Sequence, residues 1–346
     1  MGSSDKKFIE RIFKNLAERN HIYNVVLKVE SGDGYFSWKG AFGEMKTDSY
    51  YFLSEVTRLY VTAILMRLEV EKIIRFKDNL SLYLSEETIQ NLHQISNRKD
   101  NSSEITIWHL MSNTSGLPDI SYGYSLVNEI NESRLWESGL GKIKKLLFKS
   151  TSDEGSKILF FDTNYSLLGR IIEKVTGNSF VEVVDAYIFK PLELRNSYFL
   201  IDENDNNPVS IYFKSRKLWL PKYFNSVPAE GGIISTVSDC INFLKAFYNS
   251  TLFPKENLEK LKQWNLIRQT GGYVYYGAGI QKIYTSKVSN LFIPTSEIIG
   301  FRGITGSFAW YNPDTDLYFC GTTNQISSTG HAAINEAIKK MIKAAF

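Results

Sequence analysis

Glu55 and Arg58 are the residues whose types and spacing first suggest chemistry. They stand in the run Leu53-Ser54-Glu55-Val56-Thr57-Arg58, ahead of Tyr60-Val61-Thr62-Ala63-Ile64-Leu65. The stretch from Ser54 to about Val70 contains no Gly or Pro and reads as an amphipathic helix, so residues three apart share a face. A carboxylate and a guanidinium on one face can pair, or the carboxylate can carry a proton as general acid or base. Ser54 is read as the N-cap of this helix, which leaves Glu55 in the first turn, where negative charge suits the helix dipole. As a nucleophile Ser54 is poorly served. Thr57, three residues on, is no base, and Arg58 at i+4 stays protonated. The histidines His21, His93, His109 and His331 have no metal-ligand spacing, and no motif implies a metal or an organic cofactor. His109 lies in a mixed apolar run and is expected to be a hydrogen-bonded structural residue. Cys240 and Cys320 are far apart in sequence, and two buried thiols are expected.

Other elements must hold these groups in place. Phe8, Ile9, Ile12, Phe13 and Leu16 are at helical spacing. Asn24 to Glu30 and Tyr35 to Ala41 read as strands joined by a turn at Ser31-Gly32-Asp33-Gly34. From about Glu71 to Glu230 the pattern is helices and long loops, including a helix from Asn164 to Val175 that closes on Gly177. A further helix runs from Ser235 to Tyr248. Strands are expected at Tyr275 to Ile283, Ser307 to Tyr311 and Leu317 to Thr322, with a closing helix from Asn335 to Ala345. The order gives an α+β fold: an antiparallel sheet covered by terminal helices, interrupted by an all-helical insert. The expected division is 1–71 with 231–346 as the α/β part and 72–230 as the mainly helical part.

The chain has 346 residues and a net charge of +3, with the composition of an ordinary globular protein. No nucleic-acid motif accompanies its basic residues, and the cluster Lys142, Lys144 and Lys145 reads as a solvated face, so no nucleic-acid partner is expected. No apolar run reaches membrane-spanning length. The polar start, Met1 to Lys7, lacks the apolar core of a signal peptide. A cytoplasmic location is therefore expected, or export if a leader has been removed.

Several stretches together carry a resemblance. Val56-Thr57 and Tyr60 to Leu65 match "VTKTFTAAAIL" without a gap; Ile105 to Asp119 is similar to "ITIRHLLTHTSGLPD"; Asp162 to Gly177 is similar to "SDTNYILLGEIIEKVTG"; and Pro228 to Thr236 is similar to "PAGGLVST". The chain resembles the serine β-lactamase and D-alanyl-D-alanine carboxypeptidase family, in its class C-like, penicillin-binding-protein branch. The resemblance implies a β-lactamase/transpeptidase-like fold and a site built from three motifs, each altered here. In the S-x-x-K motif, Glu55 takes the place of the acylated Ser and Arg58 that of the Lys. In Y-x-N, Phe160-Phe161-Asp162 lacks the phenol that shuttles a proton. In K-T-G or H-x-G, Phe301-Arg302-Gly303 has lost the polar first residue. Asn113 lies in the loop beside the pocket, where Ser115 reads as turn chemistry.

These substitutions imply a fold without its acylation machinery. Loss of such a nucleophile alone costs on the order of 10⁶ in turnover. The expected constellation is Glu55, Arg58 and Asp162, lined by Ser54, Asn113, Phe160, Phe161, Phe301, Arg302 and Gly303. It would serve a pseudoenzyme or binding protein that holds a small molecule in the remnant pocket. One alternative is a repurposed enzyme doing noncovalent acid/base chemistry through Glu55, Arg58 and Asp162. The other is a weak serine hydrolase acting through Ser54. The residues do not specify an oligomeric state.

Overall fold

The computed structural model describes residues 3–19, 22–86, 88, 104–117, 162–202, 204–213, 215–269, 272–284, 297–326 and 328–344. Its centre is an eight-stranded antiparallel sheet of β1 (Val25–Ser31), β2 (Ser37–Phe42), β3 (Asn265–Gln269), β4 (Gly272–Tyr276), β5 (Gln281–Tyr284), β6 (Glu297–Arg302), β7 (Ser307–Asn312) and β8 (Leu317–Thr322). The strand order is β2-β1-β8-β7-β6-β5-β4-β3. The helices that bear on the site are α1 (Ser3–Ala17), α2 (Thr57–Val70), α3 (Ile107–Met111), α4 (Asp162–Thr176), α5 (Pro228–Gly231), α6 (Val237–Tyr248) and α7 (Ser328–Ala344).

Strand side chains alternate between two layers. Val25, Leu27, Val29, Phe308, Trp310 and Phe319 join the core beneath the terminal helices, with Ile9, Phe13, Ile338 and Met341. Val26, Ala309, Tyr318 and Cys320 face the other way, into the larger core that contains α2 and α6. Each such large apolar side chain contributes roughly 1.5–3 kcal/mol when fully buried. The expected sheet with flanking terminal helices is therefore present. Cys240 and Cys320 are both buried free thiols.

Three expectations about elements are corrected. The strand expected over Tyr275 to Ile283 is a hairpin, β4 and β5, because the chain reverses at Gly277 to Ile280, where Gly279 has φ +74° and leaves no room for a Cβ beside Thr62. The part expected to be all-helical also contains short strands, Tyr198–Phe199, Ile211–Phe213 and Arg216–Leu218. Aromatic and β-branched residues pair there with Ile233–Ser235 and with Gln325–Ile326, partners distant in sequence. The closing helix starts at Ser328, seven residues earlier than its apolar spacing suggests. Lys142, Lys144 and Lys145 lie outside the described residues. Among the described residues, no helix is long and apolar enough to cross a membrane.

Candidate active site

The site is assembled where the short strand Tyr51–Phe52, paired with Ile233–Ser235, turns into α2. Leu53 pins the turn: its N–H donates to Ile233 O at 2.8 Å, and its carbonyl accepts the Ser307 hydroxyl at 2.6 Å. A 3₁₀ turn, Ser54–Val56, follows and runs directly into the helix. Ser54 has φ +50°, a left-handed conformation that costs a non-glycine residue on the order of 1 kcal/mol. The N-cap role expected of Ser54 is not realised, because a cap needs extended backbone so that its oxygen can accept an N–H. Its hydroxyl instead donates to Glu55 Oε2 at 2.5 Å.

Glu55 reaches across to the sheet. The same Oε2 accepts the Ile304 N–H at 2.6 Å. Ile304 directly follows Phe301-Arg302-Gly303, so the carboxylate meets the second backbone N–H beyond the end of β6, the first, on Gly303, being given to Ser307 O. A backbone N–H beside an acylated side chain is the kind of donor that stabilises a developing oxyanion. Gly303 makes the approach feasible. A Cβ there would lie 2.9 Å from Glu55 Oε2, 2.8 Å from Ser54 Cβ and 2.5 Å from Ser307 Oγ.

Arg58 is engaged by different groups. It is 2% exposed, and its guanidinium lies 4.6 Å from the Tyr165 ring centroid and 5.8 Å from that of Phe301. Phe301 is also buried and meets Tyr276 edge-on at 5.7 Å. The phenols of Tyr165 and Tyr276 stand 3.4 Å apart. Burial raises the pKa of both, and the Arg58 charge only partly opposes this. Neither phenol can serve as a base near neutral pH. Asn113, at φ +55° just past α3, accepts from Asn164 Nδ2 at 2.8 Å, and Asn164 Oδ1 accepts from Ser115 Oγ at 2.6 Å. Ser115 Oγ also accepts the Leu117 N–H, the turn role expected of it. His109 is structural, as expected: its Nδ1 accepts the Thr106 N–H in a capping box at the start of α3.

Ser54, Glu55 and Gly303 thus meet at the Ile304 amide, while Arg58 meets Tyr165 and Phe301, with Asn113 beside Tyr276. Asp162 opens α4, but its side chain lies outside the described residues, as do Phe160 and Phe161. The residue-level reading missed Ile304, because a backbone amide has no residue signature. It also missed Tyr165 and Tyr276. The imidazole of His331, on α7, has its pKa lowered to about 3 from an ordinary 6.5, by burial first and then by the charge of the half-buried Arg302. The sign follows from linkage. The unfolded chain takes up the proton first as pH falls, so stability from neutral His331 is full above about pH 6.5 and is lost toward pH 3. Urea midpoints of the wild type should therefore fall more steeply between about pH 7 and pH 4 than those of His331→Gln. Parallel profiles would remove His331 from the acid response.

A sequence model described as Beta-lactamase matches residues 9–340. The chain belongs to the β-lactamase family. Among the curated relatives of this β-lactamase-family chain is a penicillin-binding protein of Bacillus subtilis (strain 168), 22% identical over 289 residues, covering 75% of this chain and 59% of the relative. The chain spans about half the length of the curated relatives it matches. Among solved structures, a D-stereospecific amidohydrolase from Streptomyces sp. superposes with a TM-score of 0.78 at 22% identity, covering 99% of this chain and 98% of that one. The D-amino acid amidase from Ochrobactrum anthropi SV3, complexed with D-phenylalanine, gives 0.81 at 16% identity, with 99% of each chain covered. These likenesses establish the β-lactamase/transpeptidase-like fold.

Proposed function

We propose that this β-lactamase-family protein binds a small molecule in the remnant of the acylation pocket and forms no acyl-enzyme. The observation that carries the reading is the Glu55 carboxylate, in the position of the family's nucleophile, hydrogen-bonded to the Ile304 amide. A carboxylate already on that donor stands where an acyl oxygen would have to arrive. As a nucleophile it would yield an anhydride in place of a serine ester. Arg58 adds to the argument, since a guanidinium keeps its proton at working pH and cannot activate a hydroxyl as a lysine amine can. The relatives' amide-bond chemistry would then survive here as recognition alone.

One observation favours a second reading, hydrolysis through Ser54: its hydroxyl donates to a carboxylate that could take its proton. Against it, Ser54 is 4% exposed, and its acceptor oxygen is shared with Ile304. Intact-mass spectrometry after incubation with a β-lactam and, separately, a fluorophosphonate separates the two. Unchanged mass of the folded protein is expected. A stoichiometric adduct mapped to Ser54 would overturn the binding-protein reading in favour of the hydrolase.

A further inference from the structure

We infer that the Ile304 amide, the Ser54 hydroxyl and the side-chain-free face of Gly303 form a carboxylate-binding site that the chain fills with its own Glu55. The inference rests on the proposed reading of a site that forms no acyl-enzyme. Three features converge on one oxygen. Two donors reach Glu55 Oε2, at 2.6 Å from Ile304 N and 2.5 Å from Ser54 Oγ, the short range of charge-assisted hydrogen bonds. The third is the missing side chain of Gly303, whose Cβ would crowd that same oxygen.

The donors are held by contacts other than Glu55. Gly303 N–H donates to Ser307 O at 2.9 Å and Gly306 N–H to Gly303 O at 3.0 Å, which closes the loop carrying Ile304 onto the start of β7. Ser54 is fixed in its left-handed conformation by the bonds on Leu53 and by α5, where a Cβ on Gly231 would stand 3.1 Å from Ser54 Cα. A preorganised pair of donors does not require its acceptor to be tethered. Glu55 itself is only half-buried, so the side chain has a way out toward solvent. The tether gives Glu55 an effective concentration on the order of mM or above, which keeps short free carboxylates off the wild-type site. The site is thereby self-inhibited toward carboxylates and acyl groups.

Glu55→Ala provides the test, because it removes the atoms of one acetate. The full chain is titrated with sodium acetate, with acetamide and sodium chloride as controls at matched ionic strength. The readouts are Tm and the ¹⁵N–¹H shift of Ile304. The variant should lose Tm, regain about half of the loss saturably at tens of mM acetate, and move the Ile304 resonance in step. The wild type should show neither effect. An Ile304 resonance blind to acetate, or one that moves equally with acetamide or chloride, would overturn the inference. Should Glu55→Ala fail to fold, Glu55→Gln keeps the shape and removes the charge. Hydrogen exchange at Ile304 should then quicken about tenfold, as an uncharged acceptor holds the amide less well, and unchanged exchange would overturn the inference. A covalent adduct on the wild type would sink the reading of a site that forms no acyl-enzyme, whereas an acetate-blind variant would sink only this one.

Discussion

Arg58→Ala will destabilise the protein by about 3–5 kcal/mol, the scale for removing a buried charged group from its partners and leaving a cavity behind. The side chain is buried between the Tyr165 and Phe301 rings and beside Tyr276, so the loss combines cation–π contact, volume and polar contacts. Arg58→Met retains most of the volume and none of the charge. It should recover part of the loss, and the difference between the variants measures how much of the role is filling space. Urea denaturation at pH 7 provides the values. A cost below about 1 kcal/mol for Arg58→Ala would show that Arg58 is not a structural member of the site.

Gly303→Ala will cost about 2–3 kcal/mol through overpacking and will drive the Glu55 carboxylate off Ile304. The new methyl group would meet Ser307 Oγ, Ser54 Cβ and Glu55 Oε2, all closer than ordinary van der Waals contact. Ser307 is tied to Leu53 O, and the Ser54 Cβ is fixed to the backbone of the turn, so the flexible Glu55 side chain is the neighbour that can yield. The double variant Glu55→Ala/Gly303→Ala should therefore be more stable than the sum of the single effects, with a coupling of about 0.5–3 kcal/mol. Strictly additive costs would mean that the two residues do not share the contact.

Much of the architecture could be read from residue pattern. The β-branched apolar run Val25 to Val29 marks a strand and helical spacing marks α1 and α4, whereas α2, expected to be amphipathic, is buried nearly all round because core surrounds it on every side. The β4–β5 hairpin was hidden because Tyr273 to Ile283 is rich in strand formers, while its reversal depends on backbone at Gly277 to Ile280. The short strands between Tyr198 and Leu218 were hidden because a strand two or three residues long has no period to detect and exists only through its distant partner.

For the site, residue identity settles only which side chains stand at each position. No hydroxyl stands at 55, no amine at 58 and no phenol at 160, because side-chain chemistry is fixed by residue identity. Tertiary structure alone decided what these side chains meet. It turned Glu55 toward an amide 249 residues away, set Ser54 in a left-handed conformation in place of a cap, and placed Arg58 against Tyr165 and Phe301. The reason is physical. The helix face expected to carry both Glu55 and Arg58 is not formed, because Glu55 lies in the 3₁₀ turn ahead of α2, and nearly every residue type offers the same backbone N–H. Which amide meets the carboxylate is therefore set only when the end of β6 folds against the start of α2.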